Sequence, residues 1–161
     1  MEELPSYAWT ALYIAVAAYI ANATPLLVKG KTPIDLGKMF IDGRRLLGNG
    51  KTVEGFAAGV LTGGIAGTLI TGNPAFGFLA SLGAMIGDLA GSFIKRRLGI
   101  PRGHCLPLLD QLDFILGALA LTAPVHPIEP YAAIILLVVT PPIHLTANAI
   151  AYKLKIKDTP W

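Results

Sequence analysis

Residues 54–97 read EGFAAGVLTGGIAGTLITGNPAFGFLASLGAMIGDLAGSFIKRR. Two apolar runs, from about Glu54 to Thr71 and from about Ala75 to Ile94, are divided only by Gly72-Asn73-Pro74. A membrane-crossing helix takes roughly 20 mostly apolar residues, so each run is long enough to span. The turn triplet makes the two spans antiparallel neighbours. Glycines 55, 59, 63 and 67 in the first run, and 83, 87 and 91 in the second, recur every four residues. That spacing puts each set on one helical face, where small residues let backbones approach closely in lipid. These glycines read as scaffold. A chain built around this hairpin is an all-α integral membrane protein.

Working outward, three more stretches qualify as spans: about Pro5 to Val28 with Trp9 near its outer edge, about Leu108 to Val125, and about Pro130 to Tyr152. The expectation is one domain over 1–161 with five transmembrane helices (5–28, 54–71, 75–94, 108–125 and 130–152) and polar loops at 29–53 and 95–107. Composition agrees. Of the 161 residues, 53% are hydrophobic and 14% charged, against about 25% charged in soluble domains. A single cysteine, Cys105, excludes an intrachain disulfide. The start, Met1-Glu2-Glu3, is acidic where a cleavable signal would be basic. No nucleic-acid partner is expected; the partner surface is the bilayer.

Lysine and arginine placement orients the spans. All thirteen basic residues lie in three segments: Lys29 to Lys51, Lys95 to Arg102, and Lys153 to Lys157. An odd number of helices puts all three on one side. The expected topology is therefore multi-pass, with the N-terminus outside and the basic loops and C-terminus cytoplasmic. Pro25 in the first helix and Pro141-Pro142 in the fifth should kink or open the backbone, with Asn22, Thr24, His144 and Asn148 nearby.

Charged groups inside spans are costly and are functional by default. Asp88 lies seven residues before Lys95, roughly 10 Å inside the third helix at 1.5 Å per residue. Asp110 and Asp113 open the fourth helix from the same side and share a face at i and i+3. Asp88, Ser92 and Lys95 share another. Clustered carboxylates in low dielectric need counter-charge, and hard oxygen donors suit Mg2+, which also binds substrate phosphates. Lys95, Arg96, Arg97 and Arg102 supply cations beside them. Acids and cations at one interface are what a metal–polyphosphate site requires. Gly48-Asn49-Gly50-Lys51-Thr52 ends like a nucleotide-binding phosphate loop, but Arg45 stands where that motif needs glycine. A simpler phosphate-binding turn using Lys51 is the remaining reading. His104 reads as a solvated loop residue.

Ser92-Phe93-Ile94-Lys95-Arg96 followed by Asp110-Gln111-Leu112-Asp113 resembles the signature of membrane phosphatidate cytidylyltransferases, the CDP-diacylglycerol synthases. Gln111 stands where that signature has arginine, and the linker is shorter. The whole chain is more similar to the archaeal branch, the CDP-archaeol synthase family. The similarity runs through Asn22 to Pro25, Pro33-Ile34-Asp35, Asp42-Gly43-Arg44, Leu47-Gly48, Lys51-Thr52, Ser81 to Asp88, Ser92 to Gly99 and Pro107 to Phe114.

The resemblance implies a reaction: CTP plus a digeranylgeranylglyceryl phosphate, a membrane ether-lipid phosphate, gives CDP-archaeol and pyrophosphate. It implies Mg2+ held by Asp88, Asp110 and Asp113, with Lys95 and Arg96 completing the catalytic set. Substrate-binding roles would fall to Asn22, Pro25, Asp35, Asp42, Arg44, Lys51, Thr52, Ser92, Arg97 and Gln111. Asn22 and backbone freed near Pro25 are the candidates for reading cytosine. The alternative class is a small transporter of an anionic solute. A transporter would place polar groups at the midplane and often carries an internal repeat, whereas here the ionisable groups gather at one face. Paired small-residue faces would permit a homodimer.

Overall fold

The computed structural model describes residues 4–161; the acidic start Met1-Glu2-Glu3 lies outside the described residues. Five helices follow in order: α1 (Ser6–Val28), α2 (Val53–Thr71), α3 (Pro74–Arg97), α4 (Leu109–Thr122) and α5 (Pro130–Lys153). Among the described residues the only β pairing is two isolated bridges, Pro33 with Thr52 and Met39 with Arg45. α1, α2, α3 and α5 are long and apolar enough to cross a membrane. Their outward residues are what lipid requires: Leu12, Leu61, Leu69, Ile134 and Val138 are all exposed.

The α2–α3 hairpin forms at the turn read from sequence. Gly72 takes the left-handed conformation that ends α2, and the Asn73 side chain accepts from the Phe76 N–H to start α3 with Pro74 in its first turn. The glycine faces then close the bundle. A methyl group at Gly63 would sit 2.5 Å from the Ala17 carbonyl oxygen, and one at Gly59 would sit 2.7 Å from that of Ala21. Gly83 and Gly117 bring α3 and α4 into backbone contact in the same way. Around this seam Ile14, Phe114, Ile115 and Ala118 are fully buried, and the Tyr19 and Thr140 hydroxyls, 2.9 Å apart, tie α1 to α5.

Two expectations change. α4 is shorter than expected, 14 residues ending at Thr122, because Pro124 has no N–H with which to continue the helical hydrogen-bond ladder. The prolines do not open their helices. α5 runs unbroken through Pro141 and Pro142, with the Thr146 hydroxyl donating to the Pro142 carbonyl at 2.7 Å. Pro25 falls in the last turns of α1, and the Ala21 carbonyl it leaves without an intrahelical donor faces Gly59.

Candidate active site

The 29–52 loop is folded, not slack. Its two ends pair through Ile34 N–H to the Lys51 carbonyl and Val53 N–H to the Thr32 carbonyl, both 2.9 Å. Asp35 is the hub. Its side chain has no exposed surface and accepts from the Arg45 guanidinium and from the N–H groups of Gly37, Leu47 and Gly48. The Arg45 guanidinium, helped by those backbone donors and opposed by burial, holds the Asp35 carboxyl well below the usual carboxylate range. Asp35 was expected at the substrate; with every face occupied it organises the loop instead.

A second clamp fixes the loop to α3. Arg97 donates to Asp42 at 2.5 Å and to the Arg45 carbonyl at 2.5 Å. Its guanidinium lies 4.7 Å from the Phe40 ring centroid and 4.9 Å from that of Phe93, an arrangement that adds cation–π attraction. Arg44 returns the contact by donating to the Arg97 carbonyl at 2.6 Å. Arg97 and Asp42, both expected to bind substrate, are used here to dock the loop. Two more expected substrate residues are consumed by helix starts. The Thr52 hydroxyl caps α2 by accepting from Gly55 N–H, and buried Gln111 accepts from Leu108 N–H at the start of α4 while its amide donates to Cys105 Sγ at 3.7 Å. Ser92 is half-buried on α3. Asn22 makes none of the described side-chain hydrogen bonds, and Pro25 packs toward Gly55.

The docked loop delivers Lys51 to the acids. Lys51 Nζ sits 2.7 and 2.6 Å from the two oxygens of Asp88. Lys95 reaches across to α4 and donates to Asp110 at 2.7 Å, where the Leu106 N–H also donates at 3.0 Å. Asp113 faces the α3 glycines: a methyl at Gly91 would collide with its carboxylate, and one at Gly87 with its carbonyl oxygen. The charges of Asp88, Lys51 and Asp110 all reach Asp113. The structure thus gathers Asp88, Asp110, Asp113, Lys51 and Lys95 at the α3–α4 seam. It pairs them differently from the sequence reading, which set Lys95 beside Asp88.

Next to this cluster is an open basin of about 460 Å³ lined by Arg44, Arg45, Arg96 and Arg102 with Gly48 and Asn49. Arg96 Nε is buried there without a hydrogen-bond partner among the described residues, and the Asp110 charge reaches the same guanidinium. A buried, unmatched donor among arginines is a place for an anion. Arg102, read from sequence as one of the cations beside the acids, belongs to this basin, and so does Arg45, which the sequence reading gave no part in the site. Gly91 was read as packing alone; its four-residue spacing from Gly87 was the signal that it faces α4.

Among the described residues no three His, Cys, Asp or Glu side chains close into a ready-made metal cage. The donor set nevertheless fits Mg2+, which binds through one or two carboxylates with waters and substrate phosphates completing its shell.

The profile of the CarS-like family, described as CDP-archaeol synthase, matches residues 6–161. The chain belongs to the CDP-archaeol synthase family. It is 48% identical to the CDP-archaeol synthase of Aeropyrum pernix, over 94% of this chain and 91% of that one. It is equally similar, at 48%, to the Thermococcus kodakarensis CDP-archaeol synthase over 98% of both chains. A solved structure described as an intramembrane enzyme for archaeal membrane lipid biosynthesis shares 47% identity and superposes with a TM-score of 0.77, covering 86% of this chain and 92% of its own. The helices of this CDP-archaeol synthase family member are therefore those of a multi-pass membrane protein.

Proposed function

We propose that this protein is a CTP-dependent cytidylyltransferase that converts digeranylgeranylglyceryl phosphate to CDP-archaeol and pyrophosphate. The observation that carries the reading is the juxtaposition of lysine-held carboxylates with an arginine basin at one end of an apolar bundle. Family membership supports the same reaction. A transporter gains no support from its relatives, which are synthases.

A phosphate oxygen of the lipid attacks the α-phosphorus of CTP. A new P–O bond forms, the bond to the β-phosphate bridging oxygen breaks, and pyrophosphate carries away the electron pair. A phosphate monoester is already nucleophilic near neutral pH, so no strong general base is required. Arg96, Arg102 and Arg44 line the basin in which the β- and γ-phosphates would lie and neutralise the charge that grows on the leaving group. Lys51 and Lys95 exchange their carboxylates for phosphate oxygens as substrate enters. Carboxylates freed among Asp88, Asp110 and Asp113 would then hold Mg2+, which would supply neutralisation of phosphate charge.

The proposed topology has five crossings with this end cytoplasmic. All thirteen basic residues belong to the loops, the tail and the last turns of α3 and α5 that meet there, facing the compartment that holds CTP, while the lipid's tails stay in the bilayer. The deciding experiment is turnover by purified protein in lipid vesicles with labelled CTP or ATP, ether or ester phosphatidic acids, and Mg2+ present or chelated. We expect CDP-lipid from CTP and ether lipid with Mg2+. Equal turnover of ATP, or full activity in chelator, overturns that part of the reading.

A further inference from the structure

Away from the acids, the 29–52 loop puts apolar side chains in the open. The segment is Leu36-Gly37-Lys38-Met39-Phe40-Ile41. Leu36 is 70% exposed, Met39 61% and Ile41 94%, with Phe40 the least exposed of the four at 37%. The backbone beneath them is ordered. Leu36 takes a left-handed conformation, φ 47°, a region that residues other than glycine rarely adopt. Two tight turns hold it there: Leu36 N–H donates to the Pro33 carbonyl at 3.0 Å, and Lys38 N–H to the Asp35 carbonyl at 2.7 Å. A short hairpin follows. Phe40 N–H donates to the Arg44 carbonyl at 2.8 Å and Leu46 N–H to the Lys38 carbonyl at 3.1 Å, while Met39 bridges to Arg45.

The clamp to α3 sets the height of this hairpin. Asp42 meets Arg97, and Phe40 meets Phe93, ring centroids 5.4 Å apart. Phe93 lies four residues before Arg97, about one helical turn or 5.4 Å deeper along α3. The hairpin therefore lies along the side of a membrane-crossing helix and does not hang below its end. Beside it Ile94 and Leu98 of α3 are exposed as well, so the apolar surface runs without a break from α3 onto the loop. Charge agrees with position. The acids that flank the segment are both matched, Asp35 by Arg45 and Asp42 by Arg97. Exposed Lys38 is then the one charge within 36–41. Apolar side chains around a lysine fit a lipid surface, where the ammonium stays among the headgroup phosphates. A purely solvated loop gains nothing from such a patch.

We propose that Leu36, Met39 and Ile41 seat the loop in the lipid leaflet at the site's end of the bundle, with Lys38 among the headgroups. The occupant of the patch is the bilayer itself. The same loop brings Lys51 to Asp88, so its mounting has two points, α3 through Arg97 and the membrane through the hairpin. The seating is independent of the reaction the site carries out.

The test uses the full chain with Cys105→Ser, carrying one new cysteine at a time for a nitroxide label, in phosphatidylcholine–phosphatidylglycerol vesicles. Relaxation by oxygen, which concentrates in hydrocarbon, is compared with relaxation by a water-soluble nickel complex. Met39→Cys and Ile41→Cys report the patch, Leu61→Cys on the exposed face of α2 reports lipid, and His104→Cys in the α3–α4 loop reports water. We expect the labels at 39 and 41 to be open to oxygen and closed to nickel, roughly 5–10 Å into the headgroup–acyl boundary where interfacial apolar residues sit. Nickel access equal to that at 104 overturns the seating. Shielding from both reagents with dipolar broadening means that a second copy covers the patch, and shielding without broadening means that another segment does; either result overturns it. Ile41→Cys replaces a side chain with almost no packing to lose, so this readout survives if Met39→Cys fails to fold. A label at Leu36→Cys should then move into nickel-accessible water when Met39→Gln and Ile41→Gln are added. An unchanged depth would leave the α3 clamp alone as what places the loop and would overturn the patch as its anchor. Lys38→Cys reads the same shift should Leu36→Cys fail to fold.

Discussion

The 29–52 loop and the α3–α4 seam both hold aspartates against cations, and they do so with different residues. In the loop the partners are arginines: Arg45 with Asp35, and Arg97 with Asp42. Each of these pairs is embedded in backbone hydrogen bonds, and Arg97 also lies over two rings. At the seam the partners are lysines: Lys51 with Asp88, and Lys95 with Asp110. A guanidinium offers a rigid fork that locks geometry, whereas an ammonium is a point charge on a flexible stem. The loop pairs are built to stay, whereas on the proposed function the seam pairs open when phosphates compete for the ammonium. On that reading the difference separates the parts of this end that hold shape from the parts that do chemistry.

That contrast can be broken most directly at the seam. Asp110→Asn and Asp113→Asn should each abolish turnover while the protein is still extracted and purified as a folded species, because amide replaces carboxylate at nearly constant shape. Near wild-type rates at saturating Mg2+ would remove that residue from the chemistry. Next in size, Lys95→Ala and Arg96→Ala should each cost at least about 100-fold in kcat/KM, roughly 2.7 kcal/mol of transition-state stabilisation. Steady-state kinetics on the two single variants checks this, and mild, equal losses would reduce both residues to orienting charges. Gly91→Ala is expected to cost about 10-fold in kcat, because the added methyl must displace the Asp113 carboxylate and small misplacements near the chemistry are costly. Wild-type kinetics in that variant would show the seam to be more yielding than drawn.

The smallest effect belongs to the loop and is read as stability. Asp35 has a depressed folded pKa, so its contribution is fully present above the unfolded carboxylate value of about 4 and is lost as pH falls through the folded value. The melting temperature of the wild-type protein in detergent should therefore decline below about pH 4. Asp35→Asn should melt lower at neutral pH and lose part of that acid dependence, with its activity at low temperature largely kept. An Asp35→Asn protein as inactive as Asp110→Asn would erase the distinction between the two regions.

The acids and cations of the site were legible in the sequence because charge inside a span is expensive and helical spacing fixes which residues share a face. Their partners were not. Lys95 and Asp88 share a face of α3, but two helical turns set them about 10 Å apart along the axis, too far for an ion pair. Each therefore turns to a residue from another segment: Asp110 in one case, and Lys51, 37 positions before Asp88, in the other. Asp35, Thr52 and Gln111 show the same limit. A polar residue in a similar motif can serve the backbone as readily as a ligand, and only the folded loop and helix starts reveal which. The bundle itself was readable because its glycine spacing and its Gly-Asn-Pro turn are local signals. The end of α4 needed closer attention to Pro124.

The brevity of α4 has a physical consequence for the bilayer. At 14 residues it is about 21 Å long, some 9 Å less than a typical hydrocarbon core of about 30 Å. On the proposed five-crossing topology, lipid beside it would thin, or water would dip, to match that length. The dimple so formed would fall at the helix whose first turns carry Asp110 and Asp113, so a lipid headgroup would sink toward the carboxylates while its chains kept their place among their neighbours. The bilayer would bend to the site, and the substrate would not need to be lifted out of it.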